Sequence, residues 1–128
     1  MLDSSYKIMS NIEFSQWLEN CYLDWQKKNG RSSIRKFSRW LGIHYSLVDQ
    51  WMNGKGGNPG PKNLAKIALK IGPEVYDILG IPEPPKFMQL YDANYDDLPP
   101  AAQKQLDKKI SEDFLEYLNK AIIKSANQ

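Results

Sequence analysis

Eight lysines and arginines crowd residues 31–70, where Arg31, Arg35, Lys36, Arg39, Lys55, Lys62, Lys66 and Lys70 stand against Asp49 alone. The 128-residue chain as a whole carries a formal net charge of only +2. So basic a block in a near-neutral chain fits either a polyanion-binding surface or a solvated lysine face, and charge by itself leaves both open. Other reactive chemistry is sparse. One histidine, His44, and one cysteine, Cys21, cannot build a metal cage or a Cys–His pair of the usual kind. Cys21 falls on an apolar helical stripe, which makes it a structural thiol. The glycines of residues 54–60 lack the G-x-x-x-x-G-K-[ST] order of a phosphate loop. Asp92, Asp96 and Asp97 read as solvated linker charge in preference to a cation site. No catalytic residue, metal or cofactor is expected, and the chain does not read as an enzyme.

The elements that must position the basic block are all helical. With 41% hydrophobic and 25% charged residues the composition is that of a globular protein. Ser10 and Glu13 form a capping box, followed by Phe14, Trp17, Leu18, Cys21, Tyr22 and Trp25 at steps of three and four, up to Asn29-Gly30. A second helix is expected from Ser32 or Ser33 to Leu41, burying Ile34 in part with Phe37 and Leu41. A third is expected from Tyr45 to Met52 with Val48 and Trp51 inward. Asn53 to Gly60 is a loop. Pro61 opens a fourth helix with Leu64, Ile67, Ala68 and Ile71 inward, and Pro73 a short fifth with Val75, Ile78 and Leu79. Residues 81–85 (Ile-Pro-Glu-Pro-Pro) read as a stiff break and a domain boundary. Residues 86–97 read as irregular, and Pro99-Pro100 opens a last helix to about Ser125 with Leu106, Ile110, Phe114, Tyr117, Leu118, Ala121 and Ile122 on one stripe. The expected organisation is an N-terminal arm (1–10), a helical domain (11–82), a linker (83–98) and a C-terminal helix with its tail (99–128). The fold class is all-α.

Two short helices joined by a tight glycine turn are what a helix-turn-helix requires, and small Ser38 sits where the helices approach closely. The run Ser33-Ile-Arg-Lys-Phe-Ser-Arg-Trp-Leu-Gly-Ile-His-Tyr-Ser-Leu-Val-Asp-Gln-Trp-Met-Asn-Gly-Lys55, then Pro61-Lys-Asn-Leu-Ala-Lys-Ile-Ala-Leu-Lys-Ile-Gly72, resembles the phage repressor and Cro-type (xenobiotic-response-element-type) helix-turn-helix family. The resemblance covers about residues 11–82. Its most specific parts are Trp51-Met-Asn-Gly-Lys55 and Leu64-x-x-Ile-Ala-x-x-x-Gly72. It implies a five-helix DNA-binding domain, here with an additional C-terminal helix.

Carried over by position, the resemblance implies that Tyr45, Ser46 and Gln50 face base edges, with Asp49 on the same side. Gln50 suits adenine, Ser46 donates or accepts, and Asp49 fits only by accepting from a cytosine amino group. Phosphate contacts would fall to Ser33 and the amides at the start of the second helix, to Arg31 and Arg35, and to Asn53, Lys55 and Lys62 around the loop. His44 stands where the family places a Ser or Thr cap; it reads as an ordinary turn residue or a phosphate donor. Trp40 stands where the family places a charged residue, and is expected to be packed by the N-terminal arm or C-terminal segment, or to mark a partner patch.

The expected function is sequence-specific binding of double-stranded DNA through the major groove, as a transcriptional regulator. A homodimer through the C-terminal helix is the companion expectation; the alternative for that helix is packing on its own domain. The competing function is a protein-interaction module that uses Trp40 and the C-terminal helix. No apolar run approaches the roughly 18 residues of a membrane span, and no signal-peptide core is evident. With a single cysteine, these point to the cytoplasm.

Overall fold

A computed structural model describes the backbone of residues 4–126 and the side chains of residues 13–126. Among the described residues the chain forms seven α-helices and no strand. They are α1 (Ser4–Asn29), α2 (Ile34–Leu41), α3 (Tyr45–Met52), α4 (Pro61–Lys70), α5 (Glu74–Leu79), α6 (Lys86–Asn94) and α7 (Pro100–Ala126), with one 3-10 turn at Tyr95–Asp97. The chain divides into two compact units, Met1–Ala93 and Asn94–Gln128.

The first unit closes around one core. From α1 come Phe14 and Leu18, from α2 Phe37 and Leu41, from the following turn Ile43, and from α3 Val48 and Trp51. Leu64, Ile67 and Ala68 of α4 and Val75 and Tyr76 of α5 complete it. Trp17, Cys21, Tyr22 and Trp25 of α1 lie half-buried against this cluster. Phe37 is its hub, with no exposed surface and ring centroids 5.2 Å from Tyr22, 5.5 Å from Trp25 and 5.9 Å from Trp40. Ser38 is 1% exposed, and its hydroxyl donates to the Ile34 carbonyl at 2.7 Å, so a polar group enters the core without an unmet hydrogen bond.

The α2–α3 turn is held from both sides. Gly42 has φ +81, and its N–H donates to the Ser38 and Arg39 carbonyls, a left-handed C-cap that a side chain would strain. From α4, Lys66 Nζ donates to the Gly42 carbonyl oxygen at 2.7 Å. Gly80 closes α5 in the same left-handed way.

Three expectations need correction. Residues 4–10, expected in a loose arm, are helical, and Ser10 lies inside α1 instead of capping it. No glycine or proline interrupts the sequence before Gly30, so helix propagation overrides the local capping signal. Residues 86–94, expected as irregular linker, form α6; Pro85 sits at its start, its carbonyl accepting from Met88 and Gln89 N–H. Gln89, only 3% exposed, donates from Nε2 to the Pro84 carbonyl at 2.8 Å. The division between units accordingly falls after Ala93, beyond the Pro-rich segment at which a boundary was expected.

The second unit is α7 with its approach. Gln103 Nε2 donates to the Tyr95 carbonyl at 2.8 Å and the Tyr95 hydroxyl to Asp107 Oδ2 at 2.6 Å, which tie the 3-10 turn to the first turns of the helix. No residue of α7 is buried.

Candidate nucleic-acid interface

Tyr45, Ser46, Asp49 and Gln50 lie at i, i+1, i+4 and i+5 along α3, so helical periodicity gathers them on one face. Val48 and Trp51 occupy the opposite face and are buried. Tyr45, Asp49 and Gln50 are exposed and Ser46 is half-buried. The four candidate base-reading residues therefore form one contiguous polar surface. The far end of α3 is fixed by α1, whose Ser15 hydroxyl donates to the Met52 carbonyl at 2.5 Å.

At the start of α3, His44 is the N-cap: the Ser46 N–H donates to its Nδ1 at 3.2 Å. The imidazole thus takes the place of the hydroxyl usual in an N-cap. The Ser46 hydroxyl oxygen lies 2.8 Å from the same nitrogen. The His44 ring also stacks on Tyr45, with centroids 4.9 Å apart and 28° between planes. Arg35 reaches across from α2 and sets its guanidinium carbon 4.2 Å from the Tyr45 ring centre. An exposed contact of this kind contributes about 0.5–1 kcal/mol, enough to bias the Arg35 rotamer but too little to matter for folding. Arg35, His44, Tyr45 and Ser46 make one cluster at the mouth of the turn.

The start of α2 is a second anchored element. The Tyr22 hydroxyl and Gln26 Nε2 donate to the Ser32 carbonyl at 2.7 and 2.6 Å. Ser33 then caps α2, its Oγ accepting from the Lys36 N–H at 3.3 Å. That bond uses a lone pair and leaves the hydroxyl proton for an outside acceptor, beside the positive end of the helix. Arg31 is exposed in the turn just before it.

Beyond α3 the glycine-rich loop folds back on Gln50. The Lys55 N–H donates to the Gln50 carbonyl at 2.8 Å, and Lys55 itself is exposed. Gly56 has φ +72, and a Cβ built there would lie 3.2 Å from Gln50 Oε1. Asn53 is more occupied than expected of a phosphate ligand: its Nδ2 donates to the Asp49 carbonyl at 2.8 Å and reaches Asp49 Oδ1 at 3.4 Å. Lys62 is half-buried in the first turn of α4, on the far side of this loop.

Gly56 and Lys66 are the positioning residues that the sequence did not reveal. Lys66 was legible only as one charge in a basic block, because its partner Gly42 is 24 residues away. Gly56 lay in an evident loop, but nothing local says which side chain the loop approaches.

Trp40 is 36% exposed. Its ring meets Phe37 and, at 6.0 Å, Trp25 of α1, while Lys70 Nζ lies 5.6 Å from its centre. Its open side borders a cleft of about 360 Å³ that Cys21, Trp25 and Ile71 also line. Burial first, then Glu74 and Asp24, push the Cys21 thiol up to about 11. The group therefore stays protonated at neutral pH and is a poor nucleophile.

The chain matches no protein-family model, no curated protein and no solved structure. Among the described residues no helix is long and apolar enough to cross a membrane.

Proposed function

We propose that this protein binds double-stranded DNA sequence-specifically, laying α3 in the major groove, and acts as a transcriptional regulator. The observation that carries the reading is the α3 face. Its side chains are an exposed amide, phenol and carboxylate and a half-buried hydroxyl, groups that pair with base edges. Arg35, Lys55 and the capped start of α2 border it with phosphate-binding chemistry. The α1–α5 unit resembles the phage repressor and Cro-type domain in its motif, and a repressor-like DNA-binding fold is part of the proposal.

A single helix reads only a few base pairs, so useful specificity needs two copies at half-sites about 34 Å apart. The second copy is assigned to α7. Ile110, Phe114, Tyr117, Leu118 and Ile122 are exposed along one face of the helix, Phe114, Tyr117 and Ile122 by 60% or more, a density of apolar surface that solvated helices avoid. Lys108, Lys109 and Lys120 pair along the same helix with Glu112, Asp113 and Glu116 and keep its other side polar. That apolar face also favours the competing reading, a protein-interaction module. Trp40 favours it less, since Trp25, Phe37 and Lys70 already cover part of its ring.

Selection of bound duplexes from a random pool tests the proposal. It is expected to enrich one motif with two-fold symmetry. A pool that stays random after repeated rounds at low salt would refute DNA reading.

A further inference from the structure

Ser46 has a fixed hydrogen-bonding polarity. The Ser46 N–H can only donate, so His44 Nδ1, 3.2 Å away, must accept and carries no proton. The ring proton then sits on Nε2. At 2.8 Å from an unprotonated Nδ1, the Ser46 hydroxyl oxygen faces a lone pair. Two lone pairs at that distance repel, so the hydroxyl donates its proton to Nδ1 as well. Both donors of Ser46, main chain and side chain, are consumed by the same imidazole nitrogen. Toward solvent the Oγ offers lone pairs alone.

From this we infer that Ser46 reads DNA as an acceptor only, and that the base it contacts presents an exocyclic amino group, adenine N6 or cytosine N4. The inference rests on the proposed DNA-reading role of α3 and deepens it. An unconstrained serine rotates its hydroxyl to suit either a donor or an acceptor on the base and discriminates poorly. His44 removes that freedom. It is a positioning residue: it need not touch the base, yet it sets what Ser46 can recognise. Guanine O6, thymine O4 and the purine N7 atoms are all acceptors, and each would meet an oxygen with no proton to give.

Two measurements test this, and they fail separately. His44 is the chain's single histidine, so its ring 15N resonances at neutral pH report the tautomer without ambiguity and without DNA. An unprotonated Nδ1 with a protonated Nε2 is expected, and a proton on Nδ1 overturns the inference whether or not DNA is bound. The second uses the selected duplex. The base pair read by Ser46 is the one whose preference disappears in Ser46→Ala. In that pair, either the exocyclic amino group is deleted (purine for adenine, pyrimidin-2-one for cytosine) or the opposite carbonyl (2-aminopurine for guanine, a 5-methylpyrimidin-2-one for thymine). Amino deletion is expected to weaken wild-type binding by about three- to tenfold more than it weakens Ser46→Ala binding. Carbonyl deletion is expected to affect both equally. Coupling of Ser46 to the carbonyl, or to neither group, overturns the inference. His44→Asn, whose side-chain oxygen accepts in the same place, should preserve the amino coupling. His44→Ala should lose it while still binding DNA, with a thermal melt confirming that it is folded. If no duplex is bound even at low salt, the inference falls together with the DNA reading, whatever the tautomer.

Discussion

Gln50 is placed by a residue that carries no side chain. A methyl at Gly56 would strain a backbone at φ +72 and press on Gln50 Oε1, so Gly56→Ala is expected to cost about 1 kcal/mol of stability. It should also blur base preference at the position that Gln50 reads. Gln50→Ala should relax preference at that one position by about 1–3 kcal/mol, whereas Lys55→Ala should weaken binding to all sequences alike. Affinities across single-base variants of the selected site separate these behaviours, and equal profiles for the two variants would remove Gln50 from the reading surface. Cys21 provides a pH test of the core. Burial, then Glu74 and Asp24, raise its thiol from the ordinary 9.0 to about 11. The folded chain therefore holds this proton more tightly than the unfolded chain does. That stabilisation is complete below about pH 9 and is lost as pH rises towards 11. Denaturant titrations across that window should show a fall in wild-type stability that is smaller in Cys21→Ala.

At the scale of elements, the α2–turn–α3 geometry depends on contacts from α1 and α4. Lys66→Met removes the bond to the Gly42 carbonyl and keeps the aliphatic stem. A loss of about 1 kcal/mol in thermal or denaturant unfolding is expected, since the ammonium is partly solvated. The elements themselves were legible where punctuation is chemical. Gly42 makes the turn after α2 and Pro61 opens α4 in the sequence as in the structure. The same punctuation misled at residues 81–85, where a proline run hides the beginning of α6. Proline at a helix start is as favourable as proline in a break, and only the burial of Gln89 and Ala93 distinguishes the two. Of the candidate site, periodicity marked the buried side of α3, and the outward-facing residues came from the resemblance. The Arg35–Tyr45 stack, the His44–Ser46 bonds and the Lys66 tether were out of reach, because they depend on the angle of a turn and on rotamers.

The basic block lies in the unit Met1–Ala93, while the exposed apolar face lies on α7 in the unit Asn94–Gln128. Reading and pairing are thus assigned to different units, and they should be separable by mutation. Phe114→Glu with Leu118→Glu should shift sedimentation from dimer to monomer and lower affinity for a two-half-site duplex by about tenfold or more, leaving binding to one half-site unchanged. A double variant that still sediments as the wild type would move the dimer contact elsewhere. If the face built by α3, Arg35, Ser33 and Lys55 reads duplex DNA as proposed, affinity for the selected duplex must fall as salt is raised. Each phosphate neutralised contributes about −0.9 to the slope of log K against log salt. A steep, linear fall is predicted, with a shallower slope, by about one contact, in Lys55→Ala. Binding that ignores salt, or no binding at low salt, would contradict it.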